Sequence, residues 1–452
     1  MNVNREIMNY DLVIIGAGPS GLAAAINFKN LCKKHEKNYT VCVVEKGSEV
    51  GAHILSGAIL QPTALNELIE NWQNDESCPV NVKVKEESVV FLNEKTSINI
   101  PKFFIPPVMH NSGNYIISLG AFCKWLSEKA EQLGVEIYPG FAASEPIIDQ
   151  NVLKGIITND LGVTKENQQG PNFQAGIEIH AKYTLFAEGC RGHLGKKLMN
   201  QFDLRKSSQH QTYGIGLKEL WEIDPKKSNP GQVFHSIGWP LDRETYGGSF
   251  LYHLSDNLVS VGFVIGLDYK NPYLSPYEEF QRFKTHPKMK ELFDGGRRIS
   301  YGARALNEGG WQSLPKLSFP GGALIGCDAG TLNTPKIKGT HTAMKSGMIA
   351  SDEVFEQLNL GNTNNDISMF EENFKSSWAG IELKKARNVR PSFKYGLFWG
   401  MLLTGIDQIF LRGNAPWTLN HSEPDHLSLI EKTKSKKIKY PKPDGIITFD
   451  RL

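Results

Sequence analysis

The stretch from Tyr10 to Glu45 limits most severely what this chain can become. An apolar run, YDLVIIG, meets the turn Gly16-Ala17-Gly18-Pro19-Ser20-Gly21. A segment with helical periodicity, LAAAINFKNLCKK, follows, and a second apolar run, TVCVVEK, closes the stretch. Strand, glycine turn, helix and strand make one β-α-β unit. The glycines are spaced G-x-G-x-x-G, and each has a job. Gly16 permits the tight turn, Gly18 lets a pyrophosphate reach the backbone, and Gly21 lets the helix pack on the strand. The helix N-terminus then offers free N–H groups and the positive end of its dipole to phosphate. Glu45, at the tip of the second strand, is placed to accept hydrogen bonds from an adenosine ribose, and an acid there disfavours a 2′-phosphate. The unit predicts a dinucleotide, without separating FAD from NAD.

With 452 residues the chain is too long for one core, so two or three domains are expected. Its 50 basic and 48 acidic residues leave a net charge of +2, which gives no electrostatic case for nucleic acid. The first strand begins by about Tyr10, which leaves no room for a leader. That position suits a protein facing a bacterial cytoplasm, or one already processed. The six cysteines, Cys32, Cys42, Cys78, Cys123, Cys190 and Cys327, form no close-spaced set, so no metal site is legible.

Beyond Glu45, Gly51-Ala52-His53 and Ser56-Gly57-Ala58 form a small-residue loop that reads as a plain turn or as a wall for a cofactor. Residues 80–100 alternate polar and apolar, as a hairpin would. The cluster Phe103–Met109 contains two prolines, so it is no central strand. It reads as a buried loop or as a wedge into a bilayer interface. An amphipathic helix is predicted over 118–134, and an apolar strand ends at Ala187-Glu188-Gly189. From about 201 to 299, short aromatic and glycine-rich strands imply an antiparallel sheet. Within it Gly247 and Gly248, flanked by aromatics, mark a bulge or a close approach by another molecule.

A second glycine-and-acid turn, Gly326-Cys327-Asp328-Ala329-Gly330, follows a strand, and Gly339-Thr340 opens a helix. Asp328 can bond flavin ribityl hydroxyls. The helix N-terminus can face the flavin N1/O2 edge, which becomes anionic on reduction. Lys384, Lys385, Arg387, Arg390 and Lys394 precede an apolar run from Tyr395 to Ile406 that is shorter than the ~20 residues a spanning helix needs. It reads as a core helix or as one lying in a membrane interface, with the basic residues toward anionic headgroups. The tail EKTKSKKIKYPKPDGIITFDRL reads as a linker leaving the folded body.

The blocks GAGPSGLAAA, VVEKGSEVGAHILSGA, GWPLDRETYGGSFLYHL, YGARALNEGGWQSLPKL and PKIKGTHTAMKSG resemble the electron transfer flavoprotein–ubiquinone oxidoreductases, from about Tyr10 to Leu452. The resemblance implies an α/β fold. A Rossmann-like FAD domain of glutathione-reductase type would hold 1–85, 110–200 and 300–385. An inserted antiparallel-sheet domain for quinone and membrane contact would hold 86–109, 201–299 and 386–420, the last a helical segment at the membrane surface, with 421–452 as linker. It further implies FAD held by Gly16, Gly18, Gly21, Glu45, Asp328, Gly330, Gly339 and Thr340, and quinone against the backbone of Gly247 and Gly248. Electrons would pass from reduced electron transfer flavoprotein to ubiquinone at a membrane surface: the cytoplasmic face of a bacterial inner membrane, or the mitochondrial inner membrane in a eukaryote.

Two departures stand out. Ser118 occupies a segment where some related flavoproteins carry arginine. The family's [4Fe-4S] cluster belongs to a C-terminal ferredoxin-like domain whose cysteines these six cannot replace, so a fragment, a separate ferredoxin-like chain, or a member without the cluster is expected. Other readings are a geranylgeranyl-reductase-like or monooxygenase-like flavoprotein using NAD(P)H, or a flavin subunit that only docks a ferredoxin. No residue is singled out as a catalytic acid or base.

Overall fold

Strand Ile7–Ile15 lies between Glu178–Phe186 and Val41–Glu45, parallel to both. A computed structural model, which describes residues 4–54, 58–166, 168–421 and 423–451, extends this centre into an eight-stranded sheet. Its main path runs Ser318–Phe319, Gly322–Leu324, Glu178–Phe186, Ile7–Ile15, Val41–Glu45, Glu136–Pro139, with the hairpin Ala143–Asp149/Val152–Thr158 added through Glu178–Phe186. Leu12, Val13 and Ile14 are all fully buried, although successive side chains point to opposite faces. Both faces are therefore covered, which is why the strand reads as an unbroken apolar run. Ser56 and Gly57, from the loop noted above, lie outside the described residues.

The helix Pro19–Lys34 packs along the 20-residue helix Thr340–Asn359. Their approach is close enough that a Cβ on Gly347 would stand 2.2 Å from the Ser20 carbonyl oxygen. This contact brings the two glycine turns together, although they lie some three hundred residues apart in sequence. Ser118 caps the helix Leu119–Gln132 through the Ala121 N–H.

The second sheet has seven strands in the order Arg297–Asn307, Tyr213–Glu222, Leu258–Gly266, Gly247–His253, Gln232–Gly238, Glu86–Leu92, Ser97–Asn99. All neighbours are antiparallel except Gln232–Gly238 with Glu86–Leu92. The hairpin expected over 80–100 is confined to Glu86–Leu92 and Ser97–Asn99. Val82–Lys83 pairs instead with Tyr115–Ile117. Phe280, Phe283, Met289 and Phe293, from the helices Pro276–Lys284 and Pro287–Phe293, fill the core on one face.

Three expectations about the last third change. The tail does not leave the body. Ile447 and Thr448 are buried, Lys284 Nζ donates to the Ile447 carbonyl (2.6 Å) and to Glu219 (2.8 Å), and Tyr277 donates to the Phe449 and Asp450 carbonyls. The apolar segment is a short helix, Leu397–Gly405, with a wider turn over Ile406–Phe410. Of the basic residues before it, Lys384, Lys385 and Lys394 stay exposed, whereas the two arginines turn inward. Arg387 donates to the carbonyls of Lys384, Gly413 and Ala415. Arg390 is buried between Asp268 (2.8 Å) and Glu308 (3.0 Å). Arg390→Met leaves Glu308 buried without its counter-charge, and a loss of ~3–5 kcal/mol is expected, read as a lowered thermal unfolding midpoint.

Candidate functional site

The first glycine turn is fixed by contact as much as by conformation. Gly16 has φ +106°, and a Cβ there would stand 2.6 Å from the Ala187 carbonyl oxygen. A Cβ on Gly21 would meet the Gly16 carbonyl at 2.1 Å. Gly18 is different: its φ of −83° is open to any residue, and a Cβ would meet nothing within 4 Å. The space beside it is a cradle, and the Ser20 hydroxyl next to it is buried without a hydrogen-bond partner among the described residues. Glu45 spans the turn. It accepts the Ala17 N–H (2.9 Å) on one oxygen and the Gly47 N–H (2.7 Å) on the other. Each carboxylate oxygen keeps a further lone pair for a ribose hydroxyl, so the acid braces the loop that the sequence pattern had it only sit beside.

The second turn closes against the first. Asp328 is buried, with Oδ2 unpartnered among the described residues. Burial, and then the neighbouring Glu188 carboxylate, push its pKa well above the ordinary range. Glu188 accepts the Gly195 N–H (2.8 Å) near the start of the helix His193–Gln201. Gly339 caps the long helix that Thr340 begins, and a Cβ on it would run into Leu332. Gly330 has φ +90° and abuts Gln211. Gly16, Gly18, Glu45, Gly339 and Thr340 border one cavity of about 1410 Å³, while Gly21, Asp328 and Gly330 stand behind its wall. An open cradle at a helix N-terminus, an unpartnered hydroxyl beside it and an orphaned buried carboxylate fit a dinucleotide flavin.

The same cavity continues to the second sheet and is bordered there by Gly247 and Gly248. No bulge is present: the register Gly247↔Ile265, Gly248↔Val264, Ser249↔Phe263 is unbroken. The glycines are needed because a Cβ would stand 2.4 Å from the Val264 carbonyl oxygen at Gly247 and 2.5 Å from the Ser236 carbonyl oxygen at Gly248. Around them lie groups that no sequence motif selects. His235 bonds Tyr252 through Nε2 (3.0 Å), and burial followed by the Lys338 charge lowers its pKa to about 3. Burial lowers Lys218 to about 7. Burial, and then Lys336, lower Lys338 to about 7. At the mouth stand Phe103, Phe104, Phe398 and Phe410, each more than 60 % exposed.

A nucleotide-sized cradle joined to a second, apolar chamber on an antiparallel sheet defines a flavin-dependent oxidoreductase. Residues 14–67 match the NAD(P)-binding Rossmann-like domain family, and residues 213–306 match the family described as ETF-QO, ubiquinone-binding. The chain is 52% identical to the mitochondrial electron transfer flavoprotein-ubiquinone oxidoreductase of Rattus norvegicus, over all of this chain and 75% of the relative. It is also 52% identical to the electron transfer flavoprotein-ubiquinone oxidoreductase of Pseudomonas aeruginosa, over all of this chain and 82% of that protein. It belongs to the electron transfer flavoprotein-ubiquinone oxidoreductase family. Among solved structures, a geranylgeranyl bacteriochlorophyll reductase-like protein from Thermoplasma acidophilum matches with TM-score 0.65 over 90% of this chain and 98% of that one, at 17% identity. The flavin-dependent brominase Bmp2 matches with TM-score 0.57 over 90% and 94%, at 19% identity. These two share the fold.

Proposed function

We propose that this chain binds FAD between its two glycine turns and passes electrons from reduced electron transfer flavoprotein to ubiquinone in the second chamber. The continuity of the cavity carries this reading: one space runs from Gly18 and Thr340 to Gly247 and Gly248 and opens between exposed aromatic side chains. When bound, the flavin supplies a carrier that takes electrons singly and gives up two. The protein's share is to hold and to bias. The helix beginning at Pro19 would bind the pyrophosphate, Glu45 the ribose, and the turn Cys327-Asp328, which reaches the cavity through Cys327, the ribityl chain. The helix dipole at Thr340 would favour negative charge on the flavin edge. The apolar chamber walls exclude water from the acceptor.

The glycine-turn domain would comprise 1–85, 110–200 and 300–385, and the quinone domain 86–109, 201–299 and 386–420. The aromatic mouth would lie on a membrane surface, on the cytoplasmic side of a bacterial inner membrane or on the mitochondrial inner membrane in a eukaryote. Among the described residues no group of His, Cys, Asp and Glu could hold a metal ion, and no helix is long and apolar enough to cross a membrane. No step is routed through a [4Fe-4S] cluster on these residues. Such a cluster would come from polypeptide outside them, a separate ferredoxin-like chain being one source.

The test is electron entry and exit. FAD-loaded protein should be reduced by reduced electron transfer flavoprotein, reoxidised by ubiquinone-1, and left oxidised by NADH or NADPH. Rapid reduction by a nicotinamide, with none by the flavoprotein, would favour a geranylgeranyl-reductase-like or monooxygenase-like reaction instead. A photoreactive azido-ubiquinone should label the strand containing Gly247 and Gly248, and labelling confined to other segments removes that assignment.

A further inference from the structure

We propose that Lys218 is the proton donor to the quinone carbonyl held at Gly247 and Gly248, an inference that rests on the quinone reading of the second chamber. Lys218 lies on the strand Tyr213–Glu222, two strands away from Gly247–His253. The register places it opposite Gly262, and Gly262 opposite Phe250. One step along, Gly216 stands opposite Val264, and Val264 opposite Gly248. Side chains two apart on a strand share a face, so Lys218, Phe250 and Gly248 all belong to the face that borders the cavity.

That face is bare where it matters. Gly216, Gly262 and Gly248 put no side chain on it, and the Phe250 ring lies flat over Gly262, where a Cβ would be 2.1 Å from the ring's Cζ. The Lys218 ammonium sits 5.4 Å from the centre of that ring, within cation–π range. The ring thus spans the intervening strand from the side of Gly248 and ends beside the amine. A planar headgroup lying on the glycine floor would share this face with the amine.

Other ionisable groups border the cavity. Tyr246 is pushed above its ordinary range by burial, Glu308 is paired with Arg390, Glu244 is paired with Lys270, and Arg243 does not give up its proton. His235 is held neutral and hydrogen-bonded to Tyr252, whose phenol is itself pushed above its ordinary range by burial. Arg304, on the neighbouring strand Arg297–Asn307, donates to the His53 carbonyl (3.1 Å) and does not give up its proton. Lys338, next to Gly339, also lies close enough to His235 to lower its pKa, but it is on the loop before the helix Thr340–Asn359 and not on the glycine-bearing face of the sheet. The strand Leu258–Gly266 contributes Ser260, Gly262 and Val264 to this face, none of them ionisable. Burial alone lowers Lys218 to about 7, against ~10.4 for a free lysine, which matches a group that must both give and regain a proton near neutrality.

Reduction of the quinone to the quinol consumes two electrons and two protons. The electrons arrive through the flavin from reduced electron transfer flavoprotein. One proton comes from Lys218: its N–H bond breaks as the carbonyl O–H bond forms, and the neutral amine takes a proton back from water. The second carbonyl oxygen takes its proton from solvent.

The ammonium form is the donor, so the rate of quinone reduction should fall as pH rises through about 7. The experiment follows reoxidation of the pre-reduced, FAD-loaded protein by ubiquinone-1 from pH 5.5 to 9, for wild type, Lys218→Met and Lys218→Arg. Both variants should keep flavin content and azido-ubiquinone labelling at Gly247–His253, lose ~10²–10⁴-fold in rate at low pH, and lose the pH limb. In the wild type, amine-reactive labelling of Lys218 should titrate near 7. A variant that retains the wild-type limb overturns the proposal, as does labelling with an ordinary lysine midpoint. If Met at 218 prevents folding, the Arg variant decides alone. Failure of azido-ubiquinone to label the wild-type chamber would instead bring down the quinone reading beneath it.

Discussion

Gly18→Val is expected to fold normally and to emerge without flavin. The backbone at Gly18 is already in a conformation that valine adopts, and a Cβ there meets no atom within 4 Å. The added side chain therefore costs the empty fold almost nothing. It occupies the cradle at the N-terminus of Pro19–Lys34, where a pyrophosphate must come to backbone contact distance. A loss of ~100-fold in FAD affinity, about 2.7 kcal/mol, is the least that exclusion from this contact should produce. The measurement is flavin-to-protein ratio after gel filtration, with circular dichroism matching wild type. Gly21→Val is the informative contrast. Its Cβ would stand 2.1 Å from the Gly16 carbonyl oxygen, so it should misfold and say nothing about ligand. A folded Gly18→Val protein with full flavin content would remove the first turn from the cofactor site.

The difference between these two glycines marks how far the sequence could be read. Both were assigned to the turn from spacing alone, because the turn is a local structure whose residues lie next to one another. The antiparallel sheet was legible for the same reason, as alternation within each strand. What escaped depended on partners far away in the chain. Arg390 sits among basic residues and reads as a surface charge until Asp268 and Glu308 arrive on either side of it. The tail reads as a linker by composition, yet Lys284 and Tyr277 hold its backbone. Lys218 falls in a strand, YGIGLKELW, where a lysine ordinarily marks the wet face. Only the cavity between the two large sheets shows that this face is a wall of the chamber. Of the two readings of Gly247–Gly248, the bulge is excluded, because glycine pairs serve a flat sheet equally well when neighbouring backbone approaches closely.

The largest change in cellular behaviour should follow from the mouth of the cavity. Phe103 and Phe104 are 72% and 61% exposed, Phe398 and Phe410 65% and 78%. Native surfaces seldom leave such a set uncovered, and a contiguous apolar patch marks a partner or a lipid surface. The segments form one surface, because the turn Pro107–Met109 packs against Ile406–Phe410. The helix Leu397–Gly405 is too short to cross a bilayer, so on a membrane its apolar residues would reach only the interface. Exposed Lys102, Lys384, Lys385 and Lys394 supply positive charge on the same part of the chain, as anionic headgroups require. Inserting one phenylalanine is worth ~1.5–3 kcal/mol. Replacing all four by serine should therefore weaken partitioning by more than ~10³-fold, while the fold, which buries none of them, keeps its unfolding midpoint. In a vesicle sedimentation assay with anionic lipid, wild type should pellet and the variant should stay in solution. Turnover with ubiquinone-1 in water should survive, because the chamber at Gly248 is untouched, whereas turnover with ubiquinone-10 in vesicles should be lost. Sedimentation of the folded variant with vesicles at the wild-type level would show that these aromatics do not hold the protein to lipid.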